Sequence, residues 1–134
     1  MGRGADRSRK FYAIMTNTNK TIFALSSGLG RAGIAVLRVS GPATRAILAG
    51  MIGTLPQPRR ATLARFNDPA SGEMIDRGIV LFFPAPASLT GEDCAEFQCH
   101  GGPAVIAAML RALGSFDDTR LAEAGEFARR AFEN

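Results

Sequence analysis

An α+β fold, a mixed β-sheet with helices packed on it, is what this 134-residue sequence predicts. Three observations predict it. Strand-like runs such as Ile34–Ser40 alternate along the chain with segments of helical spacing such as 103–113. The interleaving lacks the regular strand–helix–strand spacing of a doubly wound parallel sheet. With 46% apolar and 21% charged residues, the chain can bury a core without disulfides or a cofactor.

The elements follow in order. Thr21–Leu25 is a short β-rich run, Ser26 to Gly33 a glycine-rich loop, and Ile34–Ser40 a β-branched strand. Ser40-Gly41-Pro42 predicts a helix start, with Ala46, Ile47, Met51 and Ile52 at helical spacing before Gly53 ends the run. Residues 60–66 and Met74–Phe83 flank Asn67-Asp68-Pro69-Ala70-Ser71-Gly72, a link suited to a hairpin. Residues 78–83 are apolar on both faces, which predicts a central strand covered on two sides. Residues 94–99 alternate, with Ala95, Phe97 and Cys99 on one face and Cys94, Glu96 and Gln98 on the other. His100-Gly101-Gly102-Pro103 opens a helix with Val105, Ile106, Met109, Leu110 and Leu113 as its stripe. A last helix starts at Gly125, with Phe127 and Phe132 as expected anchors.

Charge and motif searches exclude several functions. Lys plus Arg is 16 and Asp plus Glu is 12. The excess is carried by Arg3, Arg7, Arg9, Lys10 and Lys20 against Asp6, so the remaining body is balanced and offers no basic face for nucleic acid. Residues 1–20 read as a disordered leader with no signal-peptide core, and the expected location is cytoplasmic. No apolar run approaches the roughly 20 residues of a membrane helix. Gly28-Leu29-Gly30-Arg31-Ala32-Gly33 satisfies a dinucleotide fingerprint, but a strand follows it where a helix is required. No G-x-x-x-x-G-K run is present, which excludes a phosphate-binding loop. Cys94 and Cys99 fall on opposite strand faces and, with one His, make no zinc pattern; both are expected to be buried thiols, and no metal site is expected.

Two charges stand out. Arg38 shares a strand face with Ile34, Val36 and Ser40, and Glu96 lies mid-strand between Ala95 and Phe97. Buried charges need partners. The two side chains read either as an internal ion pair or as a donor–acceptor pair for a fused heteroaromatic ring. The 101–103 helix start adds backbone N–H groups suited to an anion. As a general base near this pair, the sequence offers Asp93 and His100 as candidates.

The motifs, taken together and in order, carry a resemblance. They are Gly30-Arg31-Ala32-Gly33-Ile34, Leu37-Arg38-Val39-Ser40-Gly41, Leu55-Pro56-Gln57-Pro58-Arg59, Asp76-Arg77-Gly78 and Thr90-Gly91-Glu92-Asp93. Glu96-Phe97-Gln98-Cys99-His100-Gly101-Gly102-Pro103, Gly125-Glu126-Phe127 and Arg130-Ala131-Phe132-Glu133-Asn134 complete them. This series resembles the N-terminal domain of the tRNA modification GTPase family MnmE (TrmE), from about residue 21 to the end.

The resemblance implies a fold similar to folate-binding aminomethyltransferase (GcvT-like) domains. It implies a homodimer that binds 5-formyltetrahydrofolate or a related folate near the dimer interface. That folate would support installing the carboxymethylaminomethyl group at the wobble uridine of tRNAs, with the flavoprotein MnmG as partner and no membrane. The family's folate contacts fall on Arg38 and Glu96 here, and Arg31, His100, Gly101, Gly102 and Arg130 are further candidates. A lysine contact after the Arg-Ala-Phe-x-Asn motif is not among the 134 residues. The implied division is a leader over 1–20 and a C-terminally truncated folate-binding, dimerising domain over 21–134. GTP, Mg and K would bind only in a GTPase domain outside this chain, so alone it is expected neither to hydrolyse GTP nor to complete the modification. The glycine loop lacks the family's preceding proline, and Cys99 stands where glycine is usual.

Overall fold

The computed structural model describes residues 20–26 and 33–134. The leader, apart from Lys20, and residues 27–32 of the glycine loop, with Arg31, lie outside the described residues. The elements are β1 (Thr21–Leu25), β2 (Ile34–Ser40), α1 (Thr44–Ile52), β3 (Thr62–Asn67), β4 (Met74–Phe83) and β5 (Cys94–His100). α2 (Pro103–Gly114), β6 (Thr119–Leu121) and α3 (Glu126–Glu133) follow. The strands form one mixed sheet in the order β3-β4-β5-β2-β1-β6, antiparallel except for the β1–β6 pair. This is the α+β architecture expected. β6 carries no period in the sequence; it is held by pairing with β1 and by Thr119, whose hydroxyl donates to the Leu113 and Phe116 carbonyls.

Alternation gives the sheet two unlike faces. Phe23, Ala35, Leu37, Val39, Val80, Phe82, Ala95, Phe97 and Cys99 are buried on one face, under Ile47, Leu48 and Met51 of α1 and Met109, Ala112 and Leu113 of α2. Phe66 of β3 closes this core edge-to-face on Phe97, with ring centroids 5.3 Å apart. The register carries the opposite face across the strands in rows. Leu81, Glu96, Arg38 and Ala24 form one row, and Phe83, Cys94, Ser40, Ile22 and Arg120 the next.

Four details depart from the sequence reading. β4 is covered fully on one side only: Val80 and Phe82 are buried, whereas Ile79, Leu81 and Phe83 are half-buried. α1 begins at Thr44, past the Ser-Gly-Pro signal, because Gly41 turns tightly against β1. At φ 137°, a side chain on Gly41 would meet the Thr21 backbone at 2.6 Å, so only glycine fits. The Thr21 hydroxyl accepts the Ala43 N–H there, in place of a side-chain cap on the helix itself. Leu48, and not Ala46, completes the buried stripe of α1, since tertiary packing selects the face. Phe132 is 93% exposed and anchors nothing within the described residues.

Candidate functional site

Arg38 and Glu96 are directly opposed across the β2–β5 ladder. Antiparallel neighbours in register place their Cβ atoms within about 5.5 Å. Arg38 Nε donates to Glu96 Oε1 at 3.0 Å, with the side chains 43% and 21% exposed. Both line a hollow of about 220 Å³ whose remaining walls include Phe83, Leu89, Cys94 and Phe127. Phe127 comes from α3, which therefore lies on the face opposite α1 and α2. The second Glu96 oxygen and the terminal Arg38 nitrogens make no hydrogen bond among the described residues. The site thus offers an acceptor and donors beside each other, between apolar walls that suit a flat ring.

A charged network borders the hollow. Arg120 donates to both Glu126 oxygens, at 2.7 and 2.6 Å. Arg130 bridges Glu126 at 3.2 Å and Glu92 at 3.1 Å. Glu92 accepts from the Ser40 hydroxyl at 2.9 Å; that hydroxyl meets Thr90 Oγ1 at 2.7 Å, which lies 3.1 Å from Cys94 Sγ. Arg120 chiefly holds the Glu126 carboxyl down to about 2, against an opposing push from burial, with help from the Glu123 N–H and Arg130. The sequence reading missed Arg120, Glu126, Glu92, Thr90 and Ser40 as a unit. The one signal that could have found part of it is the i, i+4 spacing of Glu126 and Arg130.

The other candidates sit elsewhere. His100 ends β5, four residues or roughly 13 Å along the strand from Glu96. Its N–H donates to Asp76 Oδ2 at 2.8 Å, and its Nδ1 lies 3.0 Å from both Asp76 oxygens. Burial raises the Asp76 carboxyl, but the His100 N–H and ring and the Arg77 N–H outweigh it, leaving the carboxyl below its ordinary value. Gly101 and Gly102 lead from this end of the sheet into α2, with Pro103 in its first turn. Arg130 is only 5% exposed and reaches the hollow through Glu92 and α3 rather than by lining it. Asp93 faces Arg45 and the Ala85 N–H, which together outweigh its burial and keep it below the usual carboxylate range. Both cysteines are free and buried, Cys94 toward the hollow and Cys99 toward the core. No cluster able to hold a metal, and no helix long and apolar enough to cross a membrane, occurs among the described residues.

Comparison with known proteins meets this geometry. The family described as GTP-binding protein TrmE N-terminus matches residues 21–134. The tRNA modification GTPase MnmE of Parvibaculum lavamentivorans is 60% identical over 116 residues, covering 86% of this chain and 26% of that protein. MnmE of Beijerinckia indica is 56% identical over 117 residues, covering 87% and 26%. The mitochondrial 5-taurinomethyluridine-tRNA synthase subunit GTPB3 of Homo sapiens is 59% identical over 116 residues, covering 85% and 24%. The chain spans about a quarter of the length of these relatives.

Proposed function

This chain belongs to the TrmE N-terminal family, and from that premise we propose that it is the folate-binding, self-associating module of a tRNA-modification GTPase. The observation that carries the reading is the Arg38–Glu96 pair on the floor of an apolar-walled hollow. A 2-amino-pyrimidinone edge presents two N–H groups side by side, which a carboxylate accepts as a pair; a guanidinium donates to the ring carbonyl. Glu96 and Arg38 would hold those atoms, with Phe83, Leu89 and Phe127 against the ring. At about 220 Å³ the hollow is smaller than the roughly 300–1,000 Å³ of pockets that enclose a drug-sized ligand. It would take a bicyclic head and leave the tail outside. A bound formyl-folate supplies a one-carbon unit. Its use on a tRNA wobble uridine, with MnmG and with GTP bound in another domain, belongs to the proposal for the whole protein.

Self-association draws on the same face. The register lines Leu63 and Ile79 up with Gln98 and Val36, and Ile34 lies beside them; Ile34 and Leu63 are exposed. Exposed apolar side chains such as Ile34 and Leu63 on a sheet face are what a partner surface buries. Light scattering should give twice the 14.2 kDa chain mass, reduced toward one mass by Leu63→Asp.

Calorimetric titration with 5-formyltetrahydrofolate tests the binding. Saturable heat is expected with the wild type and about tenfold weaker binding with Glu96→Gln. No saturable heat with the folded wild type overturns the reading. The 3.0 Å Arg38–Glu96 bond also supports a second reading, a purely structural dimerisation domain with Arg38 and Glu96 as an internal ion pair. Under it Arg38→Ala lowers thermal stability, and folate moves the melting point of neither protein.

A further inference from the structure

We infer that α3 is a charge-latched strap: the Glu92–Arg130–Glu126–Arg120 network holds it across the Arg38–Glu96 hollow, and releasing the latch opens the hollow while the sheet, α1 and α2 stay folded. The buried residues of α3 are Glu126 and Arg130, 2% and 5% exposed, and both are charged. The apolar core draws on α1 and α2 and contains no buried side chain from α3. The helix's apolar contribution is Phe127 on the hollow, while Phe132 faces outward.

Such docking is conditional by its physics. The attraction within a buried ion network is largely offset by the cost of dehydrating its members, so the closed state gains little net stability. Removing one member leaves an opposite charge buried without its partner, which drives the segment into water. Gly125, at φ 76°, starts α3 without a side-chain cap, a conformation glycine adopts at no steric cost. The latch is tied to the hollow's wall by hydrogen bonds, because Glu92 is joined through Ser40 and Thr90 to Cys94. The inference concerns access to the hollow and stands whatever group fills it.

The two cysteines supply the test, since they lie on opposite faces of β5. Cys94 lies on the strap side, whereas Cys99 lies in the core with its thiol pushed up to about 11, by burial first and then by Asp76. Labelling with a disulfide reagent, read by peptide mass, should be slow at both in the wild type. In Arg130→Gln, Cys94 should label about tenfold faster or more, with Cys99 unchanged; Arg130→Lys should restore the slow rate. An unchanged Cys94 rate in Arg130→Gln, or equal acceleration at both cysteines, overturns the strap. Amide exchange on the unaltered chain tests it without any substitution: α3 should exchange about tenfold or more faster than residues 109–113 of α2. Equal protection of the two helices overturns it.

Discussion

The two faces of the sheet hold their helices by different physics. α1 and α2 are docked by Ile47, Leu48, Met51, Met109, Ala112 and Leu113 against a continuous apolar face. α3 is docked by Glu126 and Arg130 against Arg120 and Glu92. Apolar docking is non-directional and grows with area, so a face of this kind tolerates small shifts and resists salt and acid. Ionic docking is directional, depends on every member being present and ionised, and leaves room beside it. In this molecule that room is the hollow of Arg38 and Glu96. The candidate site lies on the face whose helix is the easier to release, as is common for elements that must admit a ligand.

The comparison can be broken most forcefully from the core. Phe97→Ala removes a fully buried ring packed on Phe66 and should cost about 3–5 kcal/mol in denaturant unfolding, with the whole chain unfolding earlier. A small loss would mean that the apolar face does not dominate stability. Glu126→Gln comes next. It should cost about 1–3 kcal/mol, felt in the amide protection of α3 while α1 and α2 keep theirs. Equal loss in all three helices would erase the distinction.

Acid should do the same work gradually. The folded Glu126 carboxyl is depressed from 4.5 to about 2, so its stabilisation is complete above about pH 4.5 and is lost as pH falls toward 2. Asp76 and Asp93 are depressed as well and act in the same direction. Residue-resolved amide exchange between roughly pH 5 and 3 should show α3 losing protection before α2; simultaneous loss would contradict the comparison. Phe132→Ser should have the smallest effect. An almost fully exposed ring contributes little to folding, so a change within about 0.5 kcal/mol is expected, and a larger one would mean that the Phe132 ring is packed.

The fold was legible where period and burial coincide. β2 and β5 were read with the right faces because their alternation separates Leu37, Val39, Ala95 and Phe97 from Arg38 and Glu96 without exception. β4 was read as covered on both sides because Ile79, Leu81 and Phe83 are as apolar as the residues facing the core. Composition alone cannot distinguish a buried face from one left open to a partner or ligand. Phe132 was read as an anchor for the same reason. The two residues that do bury themselves from α3 are charged, and no hydrophobic pattern could have found them. Of the candidate site, Arg38 and Glu96 stood out because each is a charge on a strand, but their mutual opposition is a matter of register between segments 58 residues apart.

By itself the sequence determined every strand but β6, the helices α1 and α2 with the apolar stripe of α2, and the conspicuous pair of charges, together with the ordered motifs that carry family membership. These are local properties, set by side-chain period, turn chemistry and residue type along a few consecutive positions. Only the tertiary structure decided that Arg38 faces Glu96, that Phe127 lines the hollow with them and that Glu92, Arg120, Glu126 and Arg130 form one network. The pairing of β1 with β6, and the packing of α3 on the outer face, bring together groups far apart in the chain, and nothing in local spacing encodes which distant partner each charge will meet.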